Sequence, residues 1–247
     1  MNNLMCISTL ALAMVATTAQ ASYINLRHEF VPRYDGQAAQ QADRVAVGNR
    51  FSNGVGFEIE AKWKSQNEDA LGEQTGNGNQ ANVSYLYHID DQWSLKPQYK
   101  WESKSDRVGH QFNLTLGYKV NDDWSVSFRH RYHYENKQHT DEGSDATNSH
   151  YNRWTFSAGY KGIENIKLTM DVDYTFNPDS SSPRWKDRQS WFSEWNIKGE
   201  YSGFDSQWAP FMELGIKPYK SGDYVYQGDT TPDKWRPRIR IGMKYSF

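Results

Sequence analysis

The sequence predicts an all-β protein: a closed, antiparallel transmembrane β-barrel of 12 strands with short periplasmic turns and long extracellular loops. Three observations lead there. Apolar and polar residues alternate in stretches of roughly ten, the period of a strand and not of a helix. The connections between stretches alternate between short and long, as in an even-stranded barrel and not a sandwich. One face of each stretch is apolar and free of Asp, Glu, Lys and Arg, with tryptophans toward its ends.

Composition bounds the alternatives. The 247 residues carry a net charge of −2, an aromatic fraction of 15% and a mean hydropathy of −0.91. A spanning helix needs about 20 consecutive apolar residues, and the only long apolar run is Leu4 to Ala16. The aromatic content excludes a disordered chain, and a lone Cys6 excludes an internal disulfide. Met5 to Val15 is apolar and leads to Ala19-Gln20-Ala21 before Ser22, the pattern of an export signal and its cleavage site. Residues 1–21 are therefore expected to be a signal peptide and 22–247 the barrel.

The stretches follow in order. In 22–30, Ile24, Leu26, His28 and Phe30 oppose Asn25, Arg27 and Glu29. Stretches 42–53 and 54–64 meet at Ser52-Asn53-Gly54, and 80–89 and 92–102 meet at Asp90-Asp91. Stretches 109–120 and 122–135 meet at Asn121-Asp122-Asp123; the second sets Trp124, Val126, Phe128, Tyr132 and Tyr134 against Ser125, Ser127, Arg129, Arg131 and Glu135. In 151–161 and 164–176 the clearest alternation is Ile166, Leu168, Met170, Val172 and Tyr174 against Lys167, Thr169, Asp171 and Asp173. Stretches 190–201 and 207–218 turn at Gly203-Phe204-Asp205. The last, 235–247, alternates Ile239, Ile241, Met243, Tyr245 and Phe247 with Arg238, Arg240, Gly242, Lys244 and Ser246. Longer loops are expected at 31–41, 65–79, 136–150, 177–189 and 219–234, with a shorter one at 103–108.

If the apolar face meets lipid, the polar face lines a pore. Lys or Arg at mid-membrane costs about 2–4 kcal/mol on the lipid face, which accounts for their segregation. The pore face then holds nineteen basic and ten acidic side chains, a surplus of nine that the turns and loops offset. The arginines cluster. Arg27 is expected beside Arg44 and Arg50 on one neighbour and Arg236, Arg238 and Arg240 on the other, with Lys62 close by; Arg129, Arg131 and Arg153 form a second group across the pore. Such ladders suit an anion path, because guanidinium forks bind carboxylates bidentately. Tyr224 and Trp185 could contact sugar faces at the mouths.

Other chemistries fit less well. No histidine pair has metal-ligand spacing, so neither metal nor cofactor is expected. Asp171 and Asp173 beside Lys167 read as charge balance more than as an acid–base pair. A 12-stranded outer-membrane hydrolase would need an outward Ser/His/Asn site; the candidates Ser193, His130 and Asn152 place the serine too far round the barrel. An exported, girdled chain is not expected to bind nucleic acid.

Taken together, Ile24-Asn25-Leu26-Arg27-His28-Glu29, Arg50-Phe51-Ser52-Asn53-Gly54-Val55-Gly56 leading to Lys62-Trp63, Val126 to Tyr132 and Arg238 to Phe247 resemble the oligogalacturonate-specific porins, small monomeric channels of the KdgM type. The resemblance covers the mature chain apart from the long loops. It implies a monomer in the bacterial outer membrane with two luminal arginine tracks, passing acidic oligosaccharides from pectin. Arg27, Arg129, Arg131, Arg238 and Arg240 carry over by position. Members passing other acidic sugars, such as sialic acid, keep that substrate and alginate oligomers as alternatives. The terminal Phe247, with Tyr245 two residues before it, resembles the signal read by the barrel-assembly machinery. Lipid and an acidic oligosaccharide are the remaining expected partners.

Overall fold

A computed structural model describes residues 22–34, 38–65, 72–137, 148–176, 190–219 and 234–247. The expected export signal, His139, Trp185 and Tyr224 lie outside these residues. The strands are β1 (Tyr23–Val31), β2 (Gln40–Arg50), β3 (Val55–Ser65), β4 (Gln74–Tyr85), β5 (Tyr87–His88), β6 (Trp93–Ser103), β7 (Arg107–Lys119), β8 (Trp124–Lys137), β9 (Ser149–Ile163), β10 (Ile166–Phe176), β11 (Ser190–Tyr201), β12 (Trp208–Tyr219) and β13 (Lys234–Ser246). Only Leu86 separates β4 from β5, and both pair with β6, so the two are parts of one strand and the barrel has 12. Every neighbour is antiparallel. The ring closes where β1 pairs with β13, from Tyr23 opposite Ser246 to Phe30 opposite Ile239.

The turns form for local reasons. Asp90 Oδ1 accepts the backbone N–H of Gln92 and Trp93 at 2.8 and 2.6 Å, and Asn121 Oδ1 those of Asp123 and Trp124 at 2.9 and 2.8 Å. These are side-chain turns that aspartate and asparagine favour. Gly54 has φ of 91°, a left-handed backbone that an L side chain rarely adopts. Its carbonyl accepts the Leu86 N–H at 2.9 Å, at the break between β4 and β5.

Burial is inverted relative to a water-soluble domain. Glu60, Arg238, Arg236 and Asn113 are almost fully buried inside the barrel, while Phe112, Phe156 and Ile197 are more than half exposed on its outer face. That is the signature of a protein whose apolar side is solvated by hydrocarbon. Aromatic rings collect at the periplasmic ends: Trp93 on Tyr118, Trp124 on Tyr160 and Trp208 on Tyr245, with centroids 4.5, 4.6 and 4.9 Å apart. A second group, Trp154 with Phe176 at 5.0 Å, lies toward the other rim.

Three expectations change. The fourth strand starts at Gln74 and not near residue 80, because its first turns of chain, Thr75-Gly76-Asn77-Gly78-Asn79, pair with β3 through backbone groups without any apolar alternation. Asp43 stands on the outer face, in register with Trp63, and bonds to His28 Nδ1 at 2.9 Å and Gln74 Nε2 at 3.0 Å. The apolar face is therefore not free of acids; this one sits at a strand end, where polar partners reach it. Ser193 was expected outside. A bulge between β10 and β11 at Asp173/Tyr174 turns it into the lumen, 5% exposed, with its hydroxyl 2.8 Å from Thr175 Oγ1. It thus points away from His130, whose Nε2 meets Asn152 Oδ1 at 3.0 Å, and the surface triad does not exist.

Candidate functional site

Inward residues of a strand recur every second position, about 6.6 Å apart, and adjacent strands lie about 4.8 Å apart. Cations placed at that parity must therefore line the lumen in ladders. Arg27, Arg44, Lys62, Arg131 and Arg153 all border one luminal cavity of about 560 Å3. Both arginine groups of the sequence analysis contribute to it. Strands β1 and β8 are six steps apart in either direction round the ring, so the groups stand opposite each other.

The ladders are not bare. Arg44 Nη1 lies 2.6 Å from Glu60 Oε2, Lys62 Nζ 2.6 Å from Glu102 Oε1 and Arg153 Nη1 3.4 Å from Asp173 Oδ2. Arg240 is held between Glu29 at 2.6 Å and Glu213 at 2.5 Å. Arg238, 3% exposed, donates to Asn196 Oδ1 at 2.5 Å and Glu194 Oε2 at 3.0 Å. This knot ties β11, β12, β13 and β1 together. It makes Arg238 and Arg240 parts of the wall rather than free rungs. Arg236, also buried, lies on the same inward face.

Arg50 is not on the ladder. It stands opposite Gly56 at the periplasmic end, donates to the Gly54 carbonyl at 2.7 Å and Ser84 Oγ at 3.0 Å, and fastens the β2–β3 turn. It lies six residues along β2 from Arg44, about 20 Å at strand rise.

Some cations keep no acid. Among the described residues, no carboxylate oxygen lies within 4.0 Å of Arg27, Lys96, Lys100, Arg129 or Arg131. Arg131 is oriented by Asn113 Oδ1 at 2.8 Å and Arg129 by Thr155 Oγ1 at 2.8 Å. Neither guanidinium is in direct contact with a carboxylate among the described residues. Strand parity does not sort paired from unpaired, since a partner can lie two strands away, as Glu194 does from Arg238.

The cavity also includes residues outside the two arginine groups: Lys100, Lys104, Arg107, His133, Tyr151 and Lys217. Lys100 and Lys217 share inward parity with their neighbours and were legible as luminal. Arg107 was expected in a loop, but it begins β7 and pairs with Glu135 at 3.1 Å. Toward the periplasmic end the wall changes character, to Ser94, Thr115, Ser127, Ser157 and Thr169 with Lys96 and Lys167 among them. Small hydroxyls there offer hydrogen bonds between more widely spaced charges. Among the described residues no cluster of His, Cys, Asp and Glu could hold a metal ion.

Comparison with known proteins agrees with this architecture. The family model described as oligogalacturonate-specific porin protein (KdgM) matches residues 15–247. The oligogalacturonate-specific porin KdgM of Dickeya dadantii (strain 3937) is 29% identical over 252 residues, 97% of this chain and 98% of that protein. The uncharacterized protein YiiY of Salmonella typhimurium is also 29% identical, over 96% of each chain. Among solved structures, the NanC porin superposes with a TM-score of 0.71 at 15% identity, covering 91% of this chain and all of that one. A KdgM porin in complex with disordered oligogalacturonate gives 0.62 at 22% identity, covering 91% and 99%. With a family match across nearly its whole length and a closed 12-stranded barrel lined by basic side chains, this chain belongs to the oligogalacturonate-specific porin (KdgM) family of bacterial outer-membrane β-barrels.

Proposed function

We propose that the protein is an anion-selective porin that admits acidic oligosaccharides by passive diffusion, oligogalacturonates foremost. The observation that carries this reading is the set of acid-free cations, Arg27, Lys100 and Arg131, converging on one luminal cavity from opposite walls. A net positive, water-filled passage with low-dielectric walls concentrates anions and repels cations. Guanidinium forks hold a carboxylate in defined geometry, yet solvation of the pore keeps the grip weak enough for release. The hydroxyl-rich periplasmic half, with Lys96 and Lys167 among the hydroxyls, then gives the sugar a more sparsely charged way out. The substrate of the Dickeya relative and the family description support oligogalacturonate over other uronates.

The test is current blockade of the purified channel in a planar bilayer. Oligogalacturonates of defined length should interrupt the current at lower concentration than neutral oligosaccharides of equal size. Sialic acid and alginate oligomers, run alongside, rank the acidic sugars. Equal blockade by neutral and acidic sugars would sink the proposal. We further propose that residues 1–21 are removed on export, that the barrel works as a monomer and that its last strand, ending at Phe247, is handed to the barrel-assembly machinery. N-terminal sequencing of the membrane form should begin at Ser22.

A further inference from the structure

Five inward residues on neighbouring strands are joined side chain to side chain along one wall of the barrel. Arg131 Nε donates to Asn113 Oδ1 at 2.8 Å, and Asn113 Nδ2 to Gln98 Oε1 at 3.2 Å. Gln98 Nε2 then donates to Asn82 Oδ1 at 3.0 Å, and Asn82 Nδ2 to Glu58 Oε1 at 3.2 Å. The chain runs through β8, β7, β6, β4 and β3, each paired with the next. Glu58 ends it, and the other oxygen of that carboxylate accepts from the Tyr23 hydroxyl on β1.

Register accounts for the links. Arg131 opposes Asn113, Asn113 opposes Gln98 and Asn82 opposes Glu58, so these side chains lie next to one another on the inward face. Gln98 alone reaches diagonally. Its own register partner is Ser84, whose hydroxyl takes Arg50 Nη2 at 3.0 Å, and Asn82 is the next inward residue along β4.

The two ends fix the sense of the middle. A guanidinium only donates and a carboxylate only accepts, whereas an amide does both. Between such ends three amides stay fully linked in one orientation, each accepting from the Arg131 side and donating toward Glu58. Turning any one of them sets donor against donor on one side and acceptor against acceptor on the other. Asn113 is 4% exposed, so water does not readily replace a lost partner there.

Arg131 has cause to be held. On its other side it opposes Arg153 in register, and like charges directly opposite on adjacent strands repel. Asn113 holds it by Nε, which turns the terminal amino groups, the open end of the fork, toward an anion.

We infer that Asn82, Gln98 and Asn113 form a one-way amide relay, anchored on Glu58, that positions Arg131 for the anion path. They are positioning residues: their effect reaches the passing sugar through the Arg131 guanidinium. This inference rests on the anion-path reading above.

A double-mutant cycle in single-channel recording of the full barrel tests it, with trigalacturonate as the probe. Gln98→Met is the central variant. It removes both hydrogen bonds at similar side-chain length, keeps the net charge and lies two strands from Arg131. It should shorten blockade events about threefold in the parent channel, the scale of one neutral hydrogen bond. In a channel carrying Arg131→Ser, whose events are already shortened, the same change should have no further effect. A general disturbance of the wall would shorten events alike in both backgrounds. Heat-modifiable gel mobility shows which variants have folded; if Gln98→Met does not fold, Asn82→Leu breaks the next link and carries the same expectation. In a parent channel that trigalacturonate blocks, unchanged events in Gln98→Met, or equal shortening with and without Arg131, overturn the relay and leave the anion path standing. A parent channel that trigalacturonate never blocks overturns the anion path, and the relay's role with it.

Discussion

Arg238 and Arg27 occupy the same face of adjacent strands, yet the same substitution should do different things to them. Arg238→Ser removes a guanidinium that is 3% exposed and that donates to Glu194 at 3.0 Å and Asn196 at 2.5 Å. Hydrogen bonds involving a charged group contribute about 1.5–3 kcal/mol each. The Glu194 side chain is 28% exposed, so water partly rehydrates it, and the lower end applies. The expected loss is about 3 kcal/mol. Arg27→Ser removes a side chain with no carboxylate within 4.0 Å among the described residues and a buried Nε without a partner; its loss should be within about 0.5 kcal/mol. Urea unfolding of the barrel in detergent, followed by tryptophan fluorescence, compares them, because stability falls linearly with denaturant. Equal losses, or a loss under about 1 kcal/mol for Arg238→Ser, would refute the division between arginines that tie the wall and arginines that face the ion path.

Three further outcomes follow from the same geometry. Replacing Arg129 and Arg131 together with serine should weaken oligogalacturonate blockade and lower the anion preference; unchanged records would remove these residues from the path. Gly242→Ala places a Cβ against the Leu26 carbonyl and 2.5 Å from Phe211 Cζ, at the seam where β13 closes on β1. Overpacking of that kind costs about 1–3 kcal/mol, visible as a lower midpoint of the heat-induced gel shift. In the turn after β7, Lys119 Nζ sits 2.7 Å from Asp122 and holds that carboxyl below the usual aspartate range. Any stability from the pair is present above about pH 4, the ordinary aspartate value, and is lost as pH falls through the lowered one. Because the site is fully exposed, Asp122→Asn should leave the unfolding midpoint at pH 7 unmoved in physiological salt.

The barrel was legible because lipid and water impose a period of two on a spanning strand, and most of the strands from β1 to β13 keep it. It was less legible where that period carries no hydropathy, as in the polar start of β4 at Gln74, or where it is broken, as at the bulge that turns Ser193 inward. Parity also identified Arg27, Arg44, Arg131 and Arg153 as luminal. It could not show which were already spent on an acid, because the choice depends on register and reach across strands. Arg50 fell from the ladder for that reason, being level with the turn and not with Arg27. Asp43 was missed because a strand end tolerates an outward acid that mid-membrane would not.

The most direct test of an anion-selective pore is the reversal potential of the purified channel in a potassium chloride gradient. With the cation-lined lumen described here, the zero-current potential should shift toward the chloride equilibrium value. Replacing Arg27 and Arg131 should bring it back toward zero. A reversal potential on the potassium side, in the unmodified protein, would contradict the account.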